Sequence, residues 1–157
     1  MSIEPRHAVV LRGTVADMLD VKGRAVCAVG AQDTVYEAIS LMSEHRVGAL
    51  VVMDGEQLAG IVSERDYTRR VILLGRASKD TAVAEIMTSP VISVQPETTL
   101  SACLKLVTEQ GIRHLPVTQG GRVVGVLSVG DLVRAVVAQQ AETIERMSSF
   151  LGSDYPT

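Results

Sequence analysis

Two halves of this chain repeat one another, and the repeat is the strongest constraint on its fold. An offset of 65 positions aligns residues 60–66 (GIVSERD) with 125–131 (GVLSVGD), and 47–52 (VGALVV) with 112–117 (IRHLPV). No gap is needed between the aligned blocks. The chain is therefore expected to fold as two similar units.

A second alignment, with an offset of 68, extends the repeat upstream by placing residues 15–19 (VADML) over 83–87 (VAEIM). Each unit reads as an entry helix, a strand, a helix, two strands and a second helix, which predicts an α/β fold. The predicted boundaries are an N-terminal arm (1–13), a first repeat (14–77), a second repeat (78–138) and a C-terminal helical extension with a tail (139–157).

Local patterns place the elements within each unit. The first unit is predicted to contain a strand (24–29), a helix capped by Asp33 or Thr34, a hairpin (49–53 and 57–62) and a helix after Ser63. The second unit is predicted to contain a strand (91–94), a helix capped by Thr98 or Thr99, a hairpin (114–118 and 122–127) and a helix after Ser128. Asp54-Gly55 and Gly120-Gly121 separate the hairpin strands, as tight turns require.

The last helix carries an apolar stripe that continues beyond the second repeat. Its members are Val133, Val137, Ile144, Met147 and Leu151, with Gln140 interrupting the series. Their spacing by threes and fours marks one face of a helix. Two interpretations remain open: the stripe packs on a second subunit, or it caps its own domain.

Neither unit is expected to be stable alone, because about 60 residues with a small sheet bury too little apolar surface. Packing the two units face to face, with pseudo-twofold symmetry, supplies the missing burial. Such an arrangement leaves two equivalent clefts between the units. A ligand should be sought in those clefts.

Composition narrows the classes of partner. The net charge of −3 argues against broad attraction to nucleic acid, and one Phe, three Tyr and no Trp leave few rings for stacking on bases. No apolar run approaches the roughly 20 residues of a membrane span, and the N-terminus lacks a secretory pattern, so we expect a cytoplasmic protein. Cys27 and Cys103 stand apart from other metal-ligating residues, which predicts buried apolar roles and no metal site.

The repeated pattern Ser-x-x-Asp is the feature most suggestive of chemistry. Ser63 and Ser128 follow a buried strand and open a helix, where free backbone N–H groups and a hydroxyl suit a phosphate. Asp66 and Asp131 lie one turn further on and could accept hydrogen bonds from the two hydroxyls of a ribose. The alternative is structural, because Ser-x-x-Asp also resembles a capping box that closes a helix N-terminus.

The two copies together resemble the CBS-domain pair, or Bateman module. The resemblance rests on the Ser-x-x-Asp blocks and on residues 45–52 (HRVGALVV) and 111–117 (GIRHLPV), and it covers the chain from Val15 to about Ala138. It implies tandem CBS repeats of the form β-α-β-β-α, and binding of an adenine ligand between them. AMP is the first candidate, with ADP, ATP, NAD and S-adenosylmethionine as others. It also implies a homodimer.

Carried onto this sequence, the resemblance implies two sets of binding residues. Ser63, Asp66 and Arg65 would share one cleft with Ile112, Arg113 and His114. Ser128 and Asp131 would share the other with Val47, Gly48 and Ala49.

The charge around the two clefts is expected to differ. Arg65 of the first repeat aligns with Gly130, and Gly48-Ala49 aligns with Arg113-His114. Arg69 and Arg70 are assigned to a solvated helix face, where most charged helix residues lie.

These residues leave three functions to consider. The first is a nucleotide sensor that acts on an unidentified regulated protein, and the second is an interaction scaffold that needs no ligand. The third is an enzyme, which the sequence disfavours because it lacks a GxSxG, Walker, HExxH or recognisable Cys/His motif. No catalytic residue is therefore assigned.

Overall fold

A computed structural model of the protein describes residues 11–152. The helices and strands follow in the order α1 (Val15–Lys22), β1 (Ala28–Gly30), α2 (Val35–His45), β2 (Ala49–Asp54), β3 (Gln57–Ser63), α3 (Glu64–Tyr67), α4 (Leu100–Gln110), β4 (His114–Gln119), β5 (Arg122–Ser128) and α5 (Val129–Gly152). A π-helical turn (Thr68–Ile72) continues α3, and a 3-10 turn (Val83–Glu85) lies in the entry segment of the second repeat. The predicted α/β class is confirmed. The predicted N-terminal arm and the end of the tail lie largely outside the described residues.

The two hairpins are the most similar parts of the repeats. β2 pairs antiparallel with β3, and β4 pairs antiparallel with β5. Each hairpin has a register shift at the same place, after Val52 in the first and after Val117 in the second. The helix caps resolve to Thr34 and Thr99, whose hydroxyls accept backbone hydrogen bonds from the first turns of α2 and α4.

The first strand of each repeat is shorter than predicted, and Pro116 explains the difference between the repeats. β1 runs parallel to β2, where the Val51 N–H donates to the Cys27 carbonyl at 3.1 Å. Pro116 occupies the position of Val51 in the second repeat and has no N–H to donate. The predicted strand 91–94 is therefore reduced to a single bridge between Val94 and Val117.

The entry segments cross over between the repeats. α1 is the entry helix of the first repeat, yet Val15 and Leu19 belong to the core formed by α4, β4, β5 and α5. Val83 and Ile86 lie in the entry segment of the second repeat and belong to the core of the first. Each repeat is thus completed by the segment that leads into the other, which ties the two units together.

Two glycines permit this crossing. A Cβ atom on Gly125 would lie 2.7 Å from Leu19 Cδ2, and one on Gly60 would lie 2.7 Å from Met87 Sδ and 2.8 Å from the Thr88 carbonyl oxygen. At both glycines these distances are too short for a Cβ atom. The glycine at this point of each hairpin therefore makes room for the crossing segment.

The start of α5 packs on its own domain, but the predicted stripe does not. Leu132 is fully buried, and Val129 and Val136 pack beside it. Val137 and Ile144 are each 62% exposed, and Met147 is 60% exposed. Within the described residues, the stripe therefore does not cap its own domain, and a different face of α5 does so.

Candidate functional site

The first cleft joins the end of β3 to the start of β4. It has a volume of about 280 Å³. Its lining includes every residue predicted for this cleft, namely Ser63, Arg65, Asp66, Ile112, Arg113 and His114. Arg69, Pro90, Val91 and Ile92 also line it.

The second cleft joins the end of β5 to the start of β2 and has a volume of about 340 Å³. Its lining includes all five residues predicted for it, namely Val47, Gly48, Ala49, Ser128 and Asp131. The other residues of the lining are Lys22, Ala25, Cys27, Arg46, His114, Val126 and Arg134. Both volumes are near the lower end of the roughly 300–1,000 Å³ typical of small-molecule sites.

Four basic residues of the clefts were missed by sequence reasoning. Lys22, Arg46 and Arg134 line the second cleft, and Arg69 lines the first. Arg69 and Arg134 are 65 positions apart in the printed sequence, so the repeat itself could have identified them. Arg69 and Arg70 are exposed, as predicted, and Arg69 also borders the first cleft.

These residues change the expected charge balance. The first cleft has Arg65, Arg69 and Arg113 around Asp66. The second has Lys22, Arg46 and Arg134 around Asp131. The clefts therefore carry the same number of cationic side chains, contributed by different elements, and the expected difference lies only in their arrangement.

In the first cleft, Ser63 and Asp66 form a capping box. The Ser63 N–H and hydroxyl donate to Asp66 Oδ2 at 2.9 and 3.0 Å, and the Asp66 N–H donates to Ser63 Oγ at 3.2 Å. Among the ion pairs of residues 11–152, none involves Asp66. Within the same residues, the hydrogen bonds to the Asp66 carboxylate all reach Oδ2, which leaves Oδ1 as an available acceptor.

In the second cleft, Asp131 makes the same cap and two ion pairs in addition. Its Oδ2 accepts from the Ser128 N–H at 2.8 Å and from Lys22 Nζ at 2.6 Å, while Oδ1 accepts from Arg134 at 2.6 Å. The Asp131 side chain is only 5% exposed. Burial raises the pKa of Asp131, but hydrogen bonds from Lys22, Ser128 and Arg134 outweigh it and hold the pKa below its usual value.

His114 lies between the clefts and lines both of them. Burial lowers the pKa of His114, and the positive charges of Lys22 and Arg113 lower it further against the opposing effect of Asp131. The imidazole is therefore neutral at physiological pH, with one nitrogen that donates and one that accepts. It can read a polar group of a ligand without adding to the charge.

The cysteines contribute differently from each other. Cys103 is buried in the second core, and burial raises the pKa of its thiol to about 11. Cys27 is half-buried and borders the second cleft, so the prediction of two buried cysteines is wrong for Cys27. Across residues 11–152, no three His, Cys, Asp or Glu side chains form a group that could hold a metal ion.

A third cavity, of about 450 Å³, lies between α1 and α5 and shares Lys22, Asp131 and Arg134 with the second cleft. Its wall is mostly apolar, with Met18 and Val21 from α1. It lacks the serine of a Ser-x-x-Asp block, so the two clefts remain the better candidates for a phosphate and a ribose.

None of the helices in the described part of the chain is both long and apolar enough to cross a membrane.

Comparison with known proteins gives a consistent result. The sequence matches the CBS domain family twice, over residues 20–72 and 83–138. A mitochondrial CBS domain-containing protein of Arabidopsis thaliana, CBSX3, is 42% identical over 153 residues, which cover 90% of this chain and 73% of the relative.

Solved structures agree with the sequence matches. A Burkholderia ambifaria protein with CBS domains, assigned provisionally to signal transduction, superposes with a TM-score of 0.78 at 49% identity. The match covers 82% of this chain and 96% of that one. A hexameric CBS-CP12 protein from bloom-forming cyanobacteria superposes with a TM-score of 0.70 at 29% identity, covering 78% of this chain and 70% of that one.

Proposed function

This chain belongs to the CBS-domain family and carries two CBS domains in tandem, and from that premise we propose that it is a regulatory module that senses an adenine nucleotide. The ligand is AMP in the first instance, with ADP, ATP, NAD and S-adenosylmethionine as the other candidates. It binds in the clefts between the repeats. None of the relatives named above carries the name of an enzyme, which supports a regulatory role over a catalytic one.

One observation carries this proposal: each cleft brings a Ser-x-x-Asp block from one repeat against the strand start of the other. In the first cleft, Asp66 Oδ1 is positioned to accept from a ribose hydroxyl, while Arg65, Arg69 and Arg113 provide charge for a phosphate. The capping box does not compete with this role, because it uses only Oδ2 of Asp66. The adenine would lie against the backbone at residues 112–114.

In the second cleft, Ser128 and Asp131 face the backbone at residues 47–49. Gly48 has no side chain, and a Cβ added there would meet nothing closer than Glu64 at 3.9 Å. A flat base can therefore approach the main chain at this point and exchange hydrogen bonds with it. Lys22, Arg46 and Arg134 provide the charge for a phosphate.

Isothermal titration tests the proposal. Protein stripped of nucleotide is titrated with AMP, ADP, ATP, NAD and S-adenosylmethionine, alongside Asp66→Ala and Asp131→Ala. Each variant is expected to remove one binding component. Asp80→Ala serves as the control, because Asp80 is exposed and lies in neither cleft.

The ligand-independent scaffold is the competing function. It would be supported if no nucleotide bound, or if Asp66→Ala and Asp131→Ala left nucleotide affinity unchanged. A thermal shift assay separates the two functions independently, because a ligand at 100 times its Kd adds about 2.7 kcal/mol to the free energy of unfolding. Turnover of a bound nucleotide would instead support an enzyme.

We further propose that the chain acts as a homodimer and regulates a separate protein. One structural neighbour is itself hexameric, which supports self-association as a property of related chains. Membranes and nucleic acid are not among the proposed partners. A cytoplasmic location is likewise a proposal, and fractionation of the native cells tests it, with an organelle as the contrary result because one relative is mitochondrial.

A further inference from the structure

The two aspartates differ in how much of their hydrogen-bonding capacity is used. A carboxylate accepts about four hydrogen bonds, two at each oxygen. Asp131 accepts from Ser128, Lys22 and Arg134, so both of its oxygens are engaged. Within residues 11–152, the hydrogen bonds to the Asp66 carboxylate all reach Oδ2 and all come from Ser63. A ribose that needs both oxygens must therefore displace a cation from Asp131 but not from Asp66.

The ion network of Lys22, Asp131 and Arg134 has no counterpart in the first cleft. The offset of 68 that aligns the entry segments places Pro90 at the position of Lys22, and Pro90 borders the first cleft. Arg69 is equivalent to Arg134, yet no ion pair within the described residues joins it to Asp66. The network is thus a feature of one cleft only.

Lys22 also connects three elements. It lies in the last turn of α1, and its Nζ donates to the Val126 carbonyl of β5 as well as to Asp131 of α5, both at 2.6 Å. Leu19, on the same helix, packs against Gly125. The ammonium group therefore holds the end of α1 across the mouth of the second cleft.

We propose that this ion network is a latch on the second cleft that a ligand with a phosphate opens and an unphosphorylated nucleoside does not. The inference rests on the proposed function, since it concerns the same clefts. A phosphate offers Lys22 or Arg134 a new anionic partner when a ribose takes over an oxygen of Asp131. Adenosine offers none, so each displaced cation loses a charge-assisted hydrogen bond without replacement.

The latch makes the clefts selective in different ways. The first cleft accepts adenosine or AMP, because no ion pair among residues 11–152 engages Asp66. The second cleft accepts AMP and discriminates against adenosine. Opening the latch also releases the end of α1 from α5. Ligand binding in the second cleft therefore changes the third cavity, where Lys22 and Arg134 lie beside Met18 and Val21.

The test isolates the second cleft in the Asp66→Ala background and measures the Kd of AMP and of adenosine by isothermal titration. AMP is expected to bind at least about tenfold more tightly than adenosine, the value of one charge-assisted hydrogen bond. Adding Lys22→Met should reduce that ratio to about threefold or less and should also tighten adenosine binding, because its ribose then displaces one cation fewer from Asp131. Lys22→Arg should preserve the ratio, and Lys105→Met, on an exposed face of α4, should leave it unchanged.

Arg134→Met provides a second route to the same result, since its side chain is 73% exposed and its replacement disturbs no core. If the Asp66→Ala protein binds adenosine as tightly as AMP, or Lys22→Met and Arg134→Met leave the ratio unchanged, the latch is wrong and the proposed function stands. The latch is also wrong if Asp66→Ala removes all AMP binding. If wild-type protein binds neither compound nor any other adenine nucleotide, the latch and the proposed function fail together.

Discussion

Within residues 11–152, the hydrogen bonds to the Asp66 carboxylate use one of its two oxygens. Oδ2 closes the capping box with Ser63, and Asp66 lines the first cleft, where the proposed ligand would use Oδ1. From the sequence, capping and ligand binding were alternative interpretations of the Ser-x-x-Asp pattern. The proposed function makes the two compatible, because a carboxylate has enough acceptor sites for both.

The substitution Asp66→Asn separates helix capping from the proposed ligand binding. The amide oxygen can replace Oδ2 in the cap, but the amide nitrogen then takes the place of Oδ1 and cannot accept a hydrogen bond. We expect the affinity of the first cleft for AMP to fall about tenfold or more while the midpoint of thermal unfolding changes little. Calorimetric titration and thermal denaturation of the same variant provide both readings. Equal affinity for AMP in the variant and the wild type would show that Asp66 is only a cap.

Asp131 predicts a pH dependence of stability. Because its cations depress the folded-state pKa below the unfolded value of about 3.9, its charged form stabilises the fold fully well above that pH. This stabilisation is lost as the pH falls through the folded-state pKa. Asp131→Asn, which keeps a cap acceptor, is expected to cost about 2 kcal/mol at pH 7.

Urea denaturation of wild type and Asp131→Asn between pH 7 and pH 3 checks this expectation. The difference in the free energy of unfolding should narrow towards the acid end. Asp80→Asn is the matched control and should give a small, nearly constant difference. If the difference in the free energy of unfolding between wild type and Asp131→Asn did not change with pH, the charge of Asp131 would not be what stabilises the fold.

At the scale of elements, the repeat predicted the hairpins and caps well because both follow from residues close in sequence. The hairpin strands were placed to within one residue of their observed ends. Both first strands were overestimated, and the second is the shorter because Pro116 offers no N–H where Val51 offers one in the first repeat. Such a dependence on a distant residue is invisible to local pattern reading.

The crossing of the entry segments explains what was missed in the site. The Ser-x-x-Asp blocks and facing strands were found because they repeat. Lys22 was missed because it lies in the entry helix of the first repeat and reaches the second, a placement that the crossing of α1 creates. Arg46 was missed because no basic residue repeats at its position. It follows α2 in a left-handed conformation, with a φ of 55°, and the equivalent residue after α4 is Gly111.

The crossing also predicts unequal effects of adding a methyl group at the two repeat glycines. At Gly60, the new Cβ would lie 2.8 Å from the Thr88 carbonyl oxygen, and that backbone is held by hydrogen bonds to Ile61. At Gly125, the contact is with the end of the Leu19 side chain, which can turn aside. We expect Gly60→Ala to destabilise the fold by about 2–3 kcal/mol and Gly125→Ala by about 1 kcal/mol.

Chemical denaturation of the two variants measures this difference. Gly48→Ala is the control, because its added Cβ would make only an ordinary contact at 3.9 Å. It should be close to neutral in stability. Equal costs at Gly60 and Gly125, or a larger cost at Gly125, would mean that α1 is held as rigidly as the segment around Thr88.

At the scale of the whole molecule, α5 offers a surface suited to a second copy of the chain. Its 24 residues extend past the second CBS match, which ends at residue 138. The exposed positions Val137, Ile144, Met147 and Leu151 fall on the a and d positions of successive heptads, with Gln140 at one d position. The flanking e and g positions, 141, 143, 148 and 150, carry no charged residue.

This pattern favours self-pairing, because like-charge repulsion between identical helices is absent where flanking positions are uncharged. Ile144→Glu should therefore shift the protein from dimer towards monomer, since it places a charge at the centre of the seam. Ser149→Glu adds the same charge on the outer face of α5 and should leave the dimer intact. Light scattering after size-exclusion chromatography, at several protein concentrations, gives the masses. A dimer that survives Ile144→Glu unchanged must pair through another surface, and the stripe on α5 would then belong to a contact with the regulated partner.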